Sequence, residues 1–206
     1  MNETKPPRVI VFDVGRVLVE WDPDRLYGQL IPDAAERQAF FDRVGLEKMN
    51  VDADRYGSLE RHVATLAENY PADAHLILPW WHQWHEMCWA EKPETARLLE
   101  AVRAAGFPVW ALSNFAMDTF AIAQTRFPIL TTFDGMVISG NEKTVKPEAE
   151  IYAILEKRTG LTGSDLFFID DKAENIAAAE ARGWQGHLFD DPAELAADLR
   201  RLGIIA

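Results

Sequence analysis

The strongest constraint on the fold is a repeated pattern, in which a short apolar run stops at a side chain that can do chemistry. The run VIVF ends at Asp13, PVWAL ends at Ser113 and Asn114, and LFFI ends at Asp170 and Asp171. Runs this short and this rich in β-branched and aromatic residues are typical of strands buried on both faces. Because amphipathic segments separate them, the sequence predicts an α/β fold with a Rossmann-like, doubly wound parallel sheet.

The rest of the core follows from the same alternation. Two further strands are predicted at 134–139 and 186–189, and helices are predicted at 93–106, 147–160, 173–183 and 192–203. The first two of these helices begin with a proline and end with a glycine, which favour helix starts and stops. Ligands of such sheets bind at the carboxyl ends of the strands, so we expect the polar residues that follow the strands to meet there.

The stretch from 19 to 91 breaks this alternation, because it shows helical periodicity without a convincing strand. It predicts an inserted all-helical cap at 19–91 on a core made of 1–18 and 92–206. Within the cap, helices are predicted at 22–30, 33–44, 58–69 and 73–91, and a polar loop at 50–57. On the last helix one face is shared by Trp81, Trp84, His85 and Cys88. We interpret this aromatic face as packing rather than as a ligand cage.

Composition limits the partners. The formal net charge of -12 opposes binding to nucleic acid and to anionic membranes, so an anionic ligand would need local cations, a metal or backbone amides. The N-terminus lacks an apolar signal segment, and no run approaches the ~18 apolar residues of a membrane span. The single cysteine, Cys88, cannot form an internal disulfide, which favours a reducing, cytoplasmic location. A monomer and a homodimer are both compatible with the sequence.

The groups expected at the strand ends suit a displacement on an anionic centre. A carboxylate such as Asp13 can attack phosphorus and form an aspartyl phosphate, provided that cations screen the repulsion between the two anions. Lys146 and a magnesium ion held by Asp13 and Asp171 would supply that screening, and Ser113 could donate to a phosphoryl oxygen. Each residue taken singly also has a structural explanation, such as capping a turn or a helix. Their order on consecutive strands favours a shared site.

Four segments carry a resemblance to a known family. FDVGRVL, ALSNF, VKPEAEIY and FIDDKAENI are similar, in this order, to the four motifs of the haloacid dehalogenase superfamily. The chain resembles the subfamily I phosphatases of that superfamily, which carry a helical C1 cap. The resemblance implies that Asp13 is the nucleophile, that a magnesium ion is bound by Asp13, the carbonyl of Gly15, Asp171 and Asp170, and that a small phosphorylated substrate contacts Ser113, Asn114 and Lys146. Asn175 stands where the family has a later acidic residue, so it is not assigned as a metal ligand.

The first motif departs from the family at Gly15. Most phosphatases of the superfamily carry a second aspartate there, which protonates the leaving oxygen and later activates water, a function worth ~10²- to 10⁴-fold in rate. Three explanations stay open: a leaving group that needs little protonation, a substitute such as Asp54 or Asp22, or a different reaction. A subgroup that includes sugar-phosphate phosphatases resembles the chain in this DxG feature. The substrate is therefore expected to be a small organic phosphate, with sugar phosphates as one class.

Two other functions compete with this interpretation. One is a metal-independent 2-haloacid dehalogenase, in which Asp13 attacks carbon and the halide leaves without a proton. Those enzymes typically show DxYGT, whereas this chain reads DVGRV and keeps Asp170 and Asp171, whose charges would repel a carboxylate substrate. The other is a non-catalytic binding protein that retains the fold. The sequence favours the magnesium-dependent phosphatase, and specificity is assigned as a hypothesis to Arg16 and to the cap residues Asn50, Asp54 and Arg55.

Overall fold

The structure is a computed structural model that describes residues 6–206. Five strands form its centre: β1 (Val9–Phe12), β2 (Val109–Ser113), β3 (Gly135–Ile138), β4 (Leu166–Asp170) and β5 (Gln185–Leu188). They lie in the order β3-β2-β1-β4-β5, and every neighbouring pair is parallel. The predicted α/β fold with a Rossmann-like parallel sheet is confirmed.

Helices cover both faces of this sheet. In chain order they are α1 (Asp24–Leu30), α2 (Ala34–Val44), α3 (Leu46–Tyr56), α4 (Leu59–Asn69), α5 (Ala74–Ile77), α6 (Pro79–His82), α7 (Trp84–Met87), α8 (Pro93–Ala104), α9 (Met117–Arg126), α10 (Ser139–Glu142), α11 (Ala149–Thr159), α12 (Ala173–Glu180) and α13 (Pro192–Arg201). Ile10 and Phe12 of β1 lie in one hydrophobic core with α8, α13 and the helices α1 to α7. Val9 and Val11 lie in a second core with α11 and α12. Side chains that alternate along β1 thus enter opposite cores.

The strand order creates a crevice beside β1. From β1 the chain moves outward to β2 and β3, then returns to the other side of β1 to form β4 and β5. At such a reversal the connections diverge and leave room for a ligand at the carboxyl ends of the two adjacent strands. Asp13 directly follows β1 and Asp170 ends β4, so both aspartates lie at this crevice.

The predicted polar loop at 50–57 is wrong, because most of this segment belongs to α3. The buried residues of α3 are Leu46, Met49 and Ala53, whose spacing of three and four forms one apolar stripe. The left-handed glycines Gly45 and Gly57 stand at its two ends. The segment 50–57 taken alone is polar and resembles a loop. The apolar stripe becomes visible only when the segment is read together with Leu46 and Met49, which precede it.

The predicted single helix at 73–91 is also wrong, because the segment forms three short helices, α5, α6 and α7. Pro79 begins α6, since a proline cannot donate the backbone hydrogen bond that a continuous helix needs. The predicted aromatic face is therefore interrupted: Trp84 and Cys88 are buried, whereas His85 is exposed. Trp80 and Trp84 both pack against Trp21, and Trp84 also lines a cavity that is described below.

The end of α3 and its junction with α4 form hydrogen bonds with the segments that follow β2 and β3. The hydroxyl of Ser139 donates to the carbonyl of Asp54 at 2.6 Å, and the backbone N–H of Met117 donates to the carbonyl of Gly57 at 3.0 Å. Arg55 forms two hydrogen bonds with Glu148, which lower the pKa of Glu148 to about 2. These contacts give α3 a fixed position over the crevice. The domain boundaries at 18 and 91 stay a prediction.

Alanine substitutions at the left-handed glycines Gly57 and Gly45 are expected to reduce stability by different amounts, because Gly57 is crowded and Gly45 is not. In Gly57→Ala the new Cβ would lie 2.9 Å from the carbonyl oxygen of Gly140, whereas at Gly45 nothing lies within 4 Å of a Cβ. We expect Gly45→Ala to lower the free energy of unfolding by about 1 kcal/mol, because alanine disfavours the left-handed backbone conformation. Gly57→Ala should lower it by a further ~1–3 kcal/mol, because its Cβ is also crowded. Urea denaturation measures both losses, and equal losses would contradict the close approach.

None of the helices in residues 6–206 has the length and apolar character that a membrane crossing requires.

Candidate active site

Lys146 is the centre of a buried cluster at the strand ends. Its ammonium group lies 2.8 Å from Oδ1 of Asp13 and 2.6 Å from Oδ2 of Asp170, and it donates to the carbonyl of Leu112 at 2.9 Å. All three donors of the ammonium are thereby used. Burial disfavours the charged lysine, but the two carboxylates outweigh that effect and raise its pKa. The lysine is therefore held as a cation between two strand ends.

Asp13 is held in one orientation by its Oδ1 atom. In addition to Lys146, the hydroxyl of Ser113 and the backbone N–H of Val14 each donate to Oδ1 at 2.7 Å. Among the described residues, no hydrogen bond to Oδ2 is found, which leaves that oxygen available to a ligand. Burial raises the pKa of Asp13 to about 6, against the opposing effect of Lys146. The carboxylate is ionised at neutral pH, and burial makes that charge costly.

Asp170 is fully buried and its oxygens are occupied by neighbouring groups. The side-chain amide of Asn175 donates to both oxygens, at 2.9 and 3.1 Å, and the backbone N–H of Lys172 donates to Oδ1 at 2.8 Å. Asn175 thus orients Asp170 through hydrogen bonds. Its amide suits this role better than an acidic side chain, which would add a further negative charge beside Asp170.

Three carboxylates at the crevice fit a divalent cation. Ligand oxygens of Asp13, Asp170 and Asp171 all lie within 4.8 Å of one another. Burial and the charge of Asp170 raise the pKa of Asp171. Lys146 is the buried cation beside these carboxylates, whereas Arg16, 3.8 Å from Asp171, is about half exposed, so a further cation among the three would reduce their mutual repulsion. A set of ligands made only of oxygens suits magnesium. The residues present therefore fit the magnesium ion that the resemblance implies.

The other predicted site residues border this cluster in different ways. Arg16 has a positive φ of 61°, donates to the carbonyl of Trp21 at 3.1 Å, and lies 3.8 Å from Asp171. Asn114 forms two hydrogen bonds with the backbone of Lys146, at 2.8 and 3.0 Å. Asn114 therefore positions Lys146, and its predicted contact with substrate stays a prediction. So does the predicted metal contact of the Gly15 carbonyl, although Gly15 borders the same space.

Two cavities with shared wall residues lie beside this cluster. The polar cavity encloses about 190 Å³, and its walls include Asp13, Arg16, Ser113, Lys146, Asp171 and Lys172. The apolar cavity encloses about 80 Å³, and its apolar walls are Val19, Trp21, Leu59, Trp84, Cys88 and Phe115. Sequence reasoning missed Trp21 and Lys172 as wall residues. The sequence offers one signal for Lys172: it directly follows the acidic pair of the fourth motif, where a side chain can reach the site.

The cap residues proposed from sequence separate into two groups. Asp54 borders both cavities, as does Asn50. Asp22 instead accepts a hydrogen bond from the backbone N–H of Asp24 at the start of α1, and Arg55 is engaged by Glu148. Burial raises the pKa of the Cys88 thiol to about 12, so Cys88 is a wall residue and is uncharged at neutral pH.

The chain matches a hydrolase family and two different kinds of relative. The model of the haloacid dehalogenase-like hydrolases matches residues 7–183. A sesquiterpene phosphatase of Aspergillus oryzae, astK, is 30% identical over 105 residues, which are 51% of this chain and 54% of the relative. An (S)-2-haloacid dehalogenase of Pseudomonas fluorescens is 28% identical over 91 residues, 44% of this chain and 40% of the relative. The chain therefore matches these curated relatives over about half of their length or less.

Solved structures share the fold over nearly the whole chain. A HAD family enzyme of Bacteroides thetaiotaomicron, in its magnesium complex, superposes with a TM-score of 0.71 and 20% sequence identity. The match covers 93% of this chain and 99% of that one. At this identity the likeness concerns the fold alone.

Proposed function

The chain belongs to the haloacid dehalogenase-like hydrolases, and from that premise we propose that it is a magnesium-dependent phosphatase acting on a small organic phosphate. The observation that carries the proposal is the charge of the site. The clustered carboxylates of Asp13, Asp170 and Asp171 surround one buried cation, Lys146. Buried charges are retained only when they are paired or bind a metal, so three clustered carboxylates beside one buried cation favour a site that holds magnesium and then an anion.

Asp13 is the proposed nucleophile. An oxygen of Asp13 forms a bond to phosphorus, the ester P–O bond breaks, and its electron pair goes to the leaving oxygen. Lys146 keeps the carboxylate ionised, and Ser113 fixes its orientation through the 2.7 Å hydrogen bond. Water then attacks the phosphorus of the aspartyl phosphate, which releases inorganic phosphate and restores Asp13.

Magnesium would be held by Asp13 and Asp171, with the Gly15 carbonyl as a further predicted ligand. When bound, it would neutralise the repulsion between Asp13 and the incoming phosphate. Asp170 is predicted as a ligand too, but its hydrogen bonds with Lys146, Asn175 and Lys172 favour a role in orienting its neighbours. The structural relative from Bacteroides thetaiotaomicron was solved with magnesium, and the relative from Aspergillus oryzae is a phosphatase, which supports this assignment.

A 2-haloacid dehalogenase is the second candidate, and two observations favour it. Gly15 brings no proton-transferring side chain to the site, and a small apolar cavity, as a haloalkyl chain would need, shares wall residues with the polar cavity that Asp13 lines. Dehalogenases are also among the sequence relatives. Against it stands the acidic cluster, which would repel a carboxylate substrate in the absence of metal.

A paired turnover assay tests the two candidates. Phosphate release from an aryl phosphate and halide release from 2-chloropropionate are measured, each with magnesium and with EDTA. We expect phosphate release that requires magnesium and no halide release. Halide release that persists in EDTA, without phosphate release, would contradict the proposal. Failure of all tested esters with magnesium present would instead favour a binding protein that retains the fold.

A further inference from the structure

Asp54 lies where the two cavities meet. The polar and apolar cavities share the wall residues Gly15, Trp21, Asn50, Asp54 and Asn114. Of these shared residues, only Asp54 has an ionisable side chain. In a phosphate ester the bridging oxygen joins the phosphoryl group to the organic group. With the phosphoryl group at Asp13 and the organic group in the apolar cavity, that oxygen lies at the boundary that Asp54 borders.

The carboxyl group of Asp54 is held in place by both the core and its own helix. Its Oδ1 atom accepts a hydrogen bond from the backbone N–H of Ala116 at 3.0 Å, and Oδ2 accepts one from the side chain of Asn50 at 3.1 Å. The backbone carbonyl of Asp54 accepts a hydrogen bond from the hydroxyl of Ser139 at 2.6 Å. Asn50 is itself fixed, because its Oδ1 atom accepts the indole N–H of Trp80 at 3.0 Å. The position of Asp54 is thus set by three separate segments.

We propose that Asp54 performs the proton transfer that Gly15 cannot, and that the apolar cavity receives the organic group of the ester. The inference rests on the proposed phosphatase function and names its acid and base. In the first step the protonated carboxyl group of Asp54 gives its proton to the leaving oxygen as the P–O bond breaks, which releases an alcohol. In the second step the Asp54 carboxylate takes a proton from the water that attacks the aspartyl phosphate, and Asp13 leaves as a carboxylate.

The electrostatic surroundings of Asp54 suit both steps. Burial raises its pKa to about 7, the N–H of Ala116 and the charge of Lys172 oppose that shift, and the charges of Asp13 and Asp118 add to it. The other charged groups that border its polar cavity are Arg16, Lys146 and Asp171. A carboxyl group with a pKa near neutrality can act as an acid and then as a base at the same pH.

The apolar cavity also indicates a substrate class. Its polar wall residues, Asn50, Asp54, Asn114 and Thr119, already form hydrogen bonds within the protein, which leaves few partners for the hydroxyl groups of a sugar. Its volume of about 80 Å³ suits a group of only a few carbons. The preferred substrates are therefore expected to be monoesters of small apolar alcohols. We expect isobutyl phosphate to have a kcat/KM at least ~10-fold above that of glucose 6-phosphate, because each buried methylene adds severalfold in affinity.

The test of Asp54 separates the two chemical steps. Asp54→Asn and the control Asp52→Asn, on the same helix but in an ion pair with Lys48, are compared in single-turnover experiments with magnesium. With 4-nitrophenyl phosphate, whose leaving group needs little protonation, Asp54→Asn should keep a burst of nitrophenolate close to one per site and then turn over slowly. With isobutyl phosphate, alcohol release in the first turnover should fall ~10²- to 10⁴-fold. Asp52→Asn should match the wild type in both.

The outcomes distinguish this inference from the proposed function. Equal losses of the burst with both esters would show that Asp54 has a structural role, and would overturn the assignment. A preference for glucose 6-phosphate over isobutyl phosphate would overturn the assignment of the cavity. If the wild type released no phosphate from 4-nitrophenyl phosphate or acetyl phosphate with magnesium, the proposed function itself would fail.

Discussion

Asp13→Asn is expected to reduce phosphate release at least ~10⁴-fold, because an amide cannot form the aspartyl phosphate. Asn retains an oxygen that can accept hydrogen bonds from Ser113, Lys146 and the N–H of Val14, so the local structure should persist. Steady-state phosphate release with magnesium measures the loss. Asp42→Asn, an exposed position on α2, is the control and should keep full activity.

The same variant should be more stable than the wild type above about pH 6. Burial raises the pKa of Asp13 from its ordinary 3.8 to about 6, so the folded state binds the proton more tightly than the unfolded state does. Ionisation of Asp13 therefore destabilises the fold, an effect that is complete above pH 6 and absent below about pH 4. Because one pKa unit corresponds to ~1.4 kcal/mol, the variant should gain ~1–3 kcal/mol at pH 8.

Urea denaturation in EDTA at pH 4 and pH 8 measures this gain without the influence of a bound metal. The gain should appear at pH 8 and vanish toward pH 4. A variant that is less stable than the wild type at pH 8 would show that the ion pair with Lys146 outweighs the cost of burying Asp13. That result would contradict the electrostatic account of the site.

Lys146→Met is expected to inactivate the protein and to destabilise it. This effect on stability is opposite to that of Asp13→Asn, although Lys146 and Asp13 are partners in one ion pair. Removal of the ammonium leaves Asp13 and Asp170 buried close together without a cation, and such losses cost ~3–5 kcal/mol. Phosphate release should fall at least ~10³-fold, because a charge that would stabilise the phosphoryl group in the transition state is missing.

Chemical denaturation and phosphate release are compared between Lys146→Met and the exposed control Lys157→Met on α11, which should match the wild type. In the variant Asp13 loses the cation that opposes its raised pKa, so the pKa of Asp13 rises further in the folded state. The loss of stability should therefore be larger at pH 8 than at pH 5. A loss below ~1 kcal/mol at pH 8 would contradict the charge balance described for the cluster.

The core of the site could be predicted from sequence because parallel strands end at the same edge of a sheet. Asp13, Ser113 and Asp170 stand at or directly after strand ends, so their meeting required only the strands to be identified. The place of Lys146 in the site is harder to predict, because it lies on a loop between α10 and α11 and not at a strand end. It was predicted from its sequence motif.

The part of the site contributed by α3 could not be derived in the same way. The segment 50–57 is polar because it borders the cavities on one side and solvent on the other, and a stripe of only Leu46, Met49 and Ala53 is buried. Asp54 was among the candidate proton donors from sequence, but its place between two cavities depends on hydrogen bonds with Ala116 and Ser139, which lie far along the chain. Long-range contacts of this kind leave no local pattern.

The role of Asn114 also depended on three-dimensional contacts. The sequence places it directly after β2, which is where a substrate contact would be expected. In the structure its side chain pairs with the backbone of Lys146, 32 positions later. An amide can donate and accept at once, so it suits a bridge between two loops as well as a phosphate.

The central claim is that Asp13 carries the phosphoryl group, and mapping the covalent intermediate tests it most directly. The protein is mixed with magnesium and isobutyl phosphate, or in a parallel sample with 2-chloropropionate, quenched in acid within the first turnover, digested and examined by mass spectrometry. The account predicts one phosphoryl group on the peptide that contains Asp13, only with the phosphate ester, and none in Asp13→Asn. A carboxyalkyl group on Asp13 from the haloacid, with no phosphorylated peptide, would contradict it.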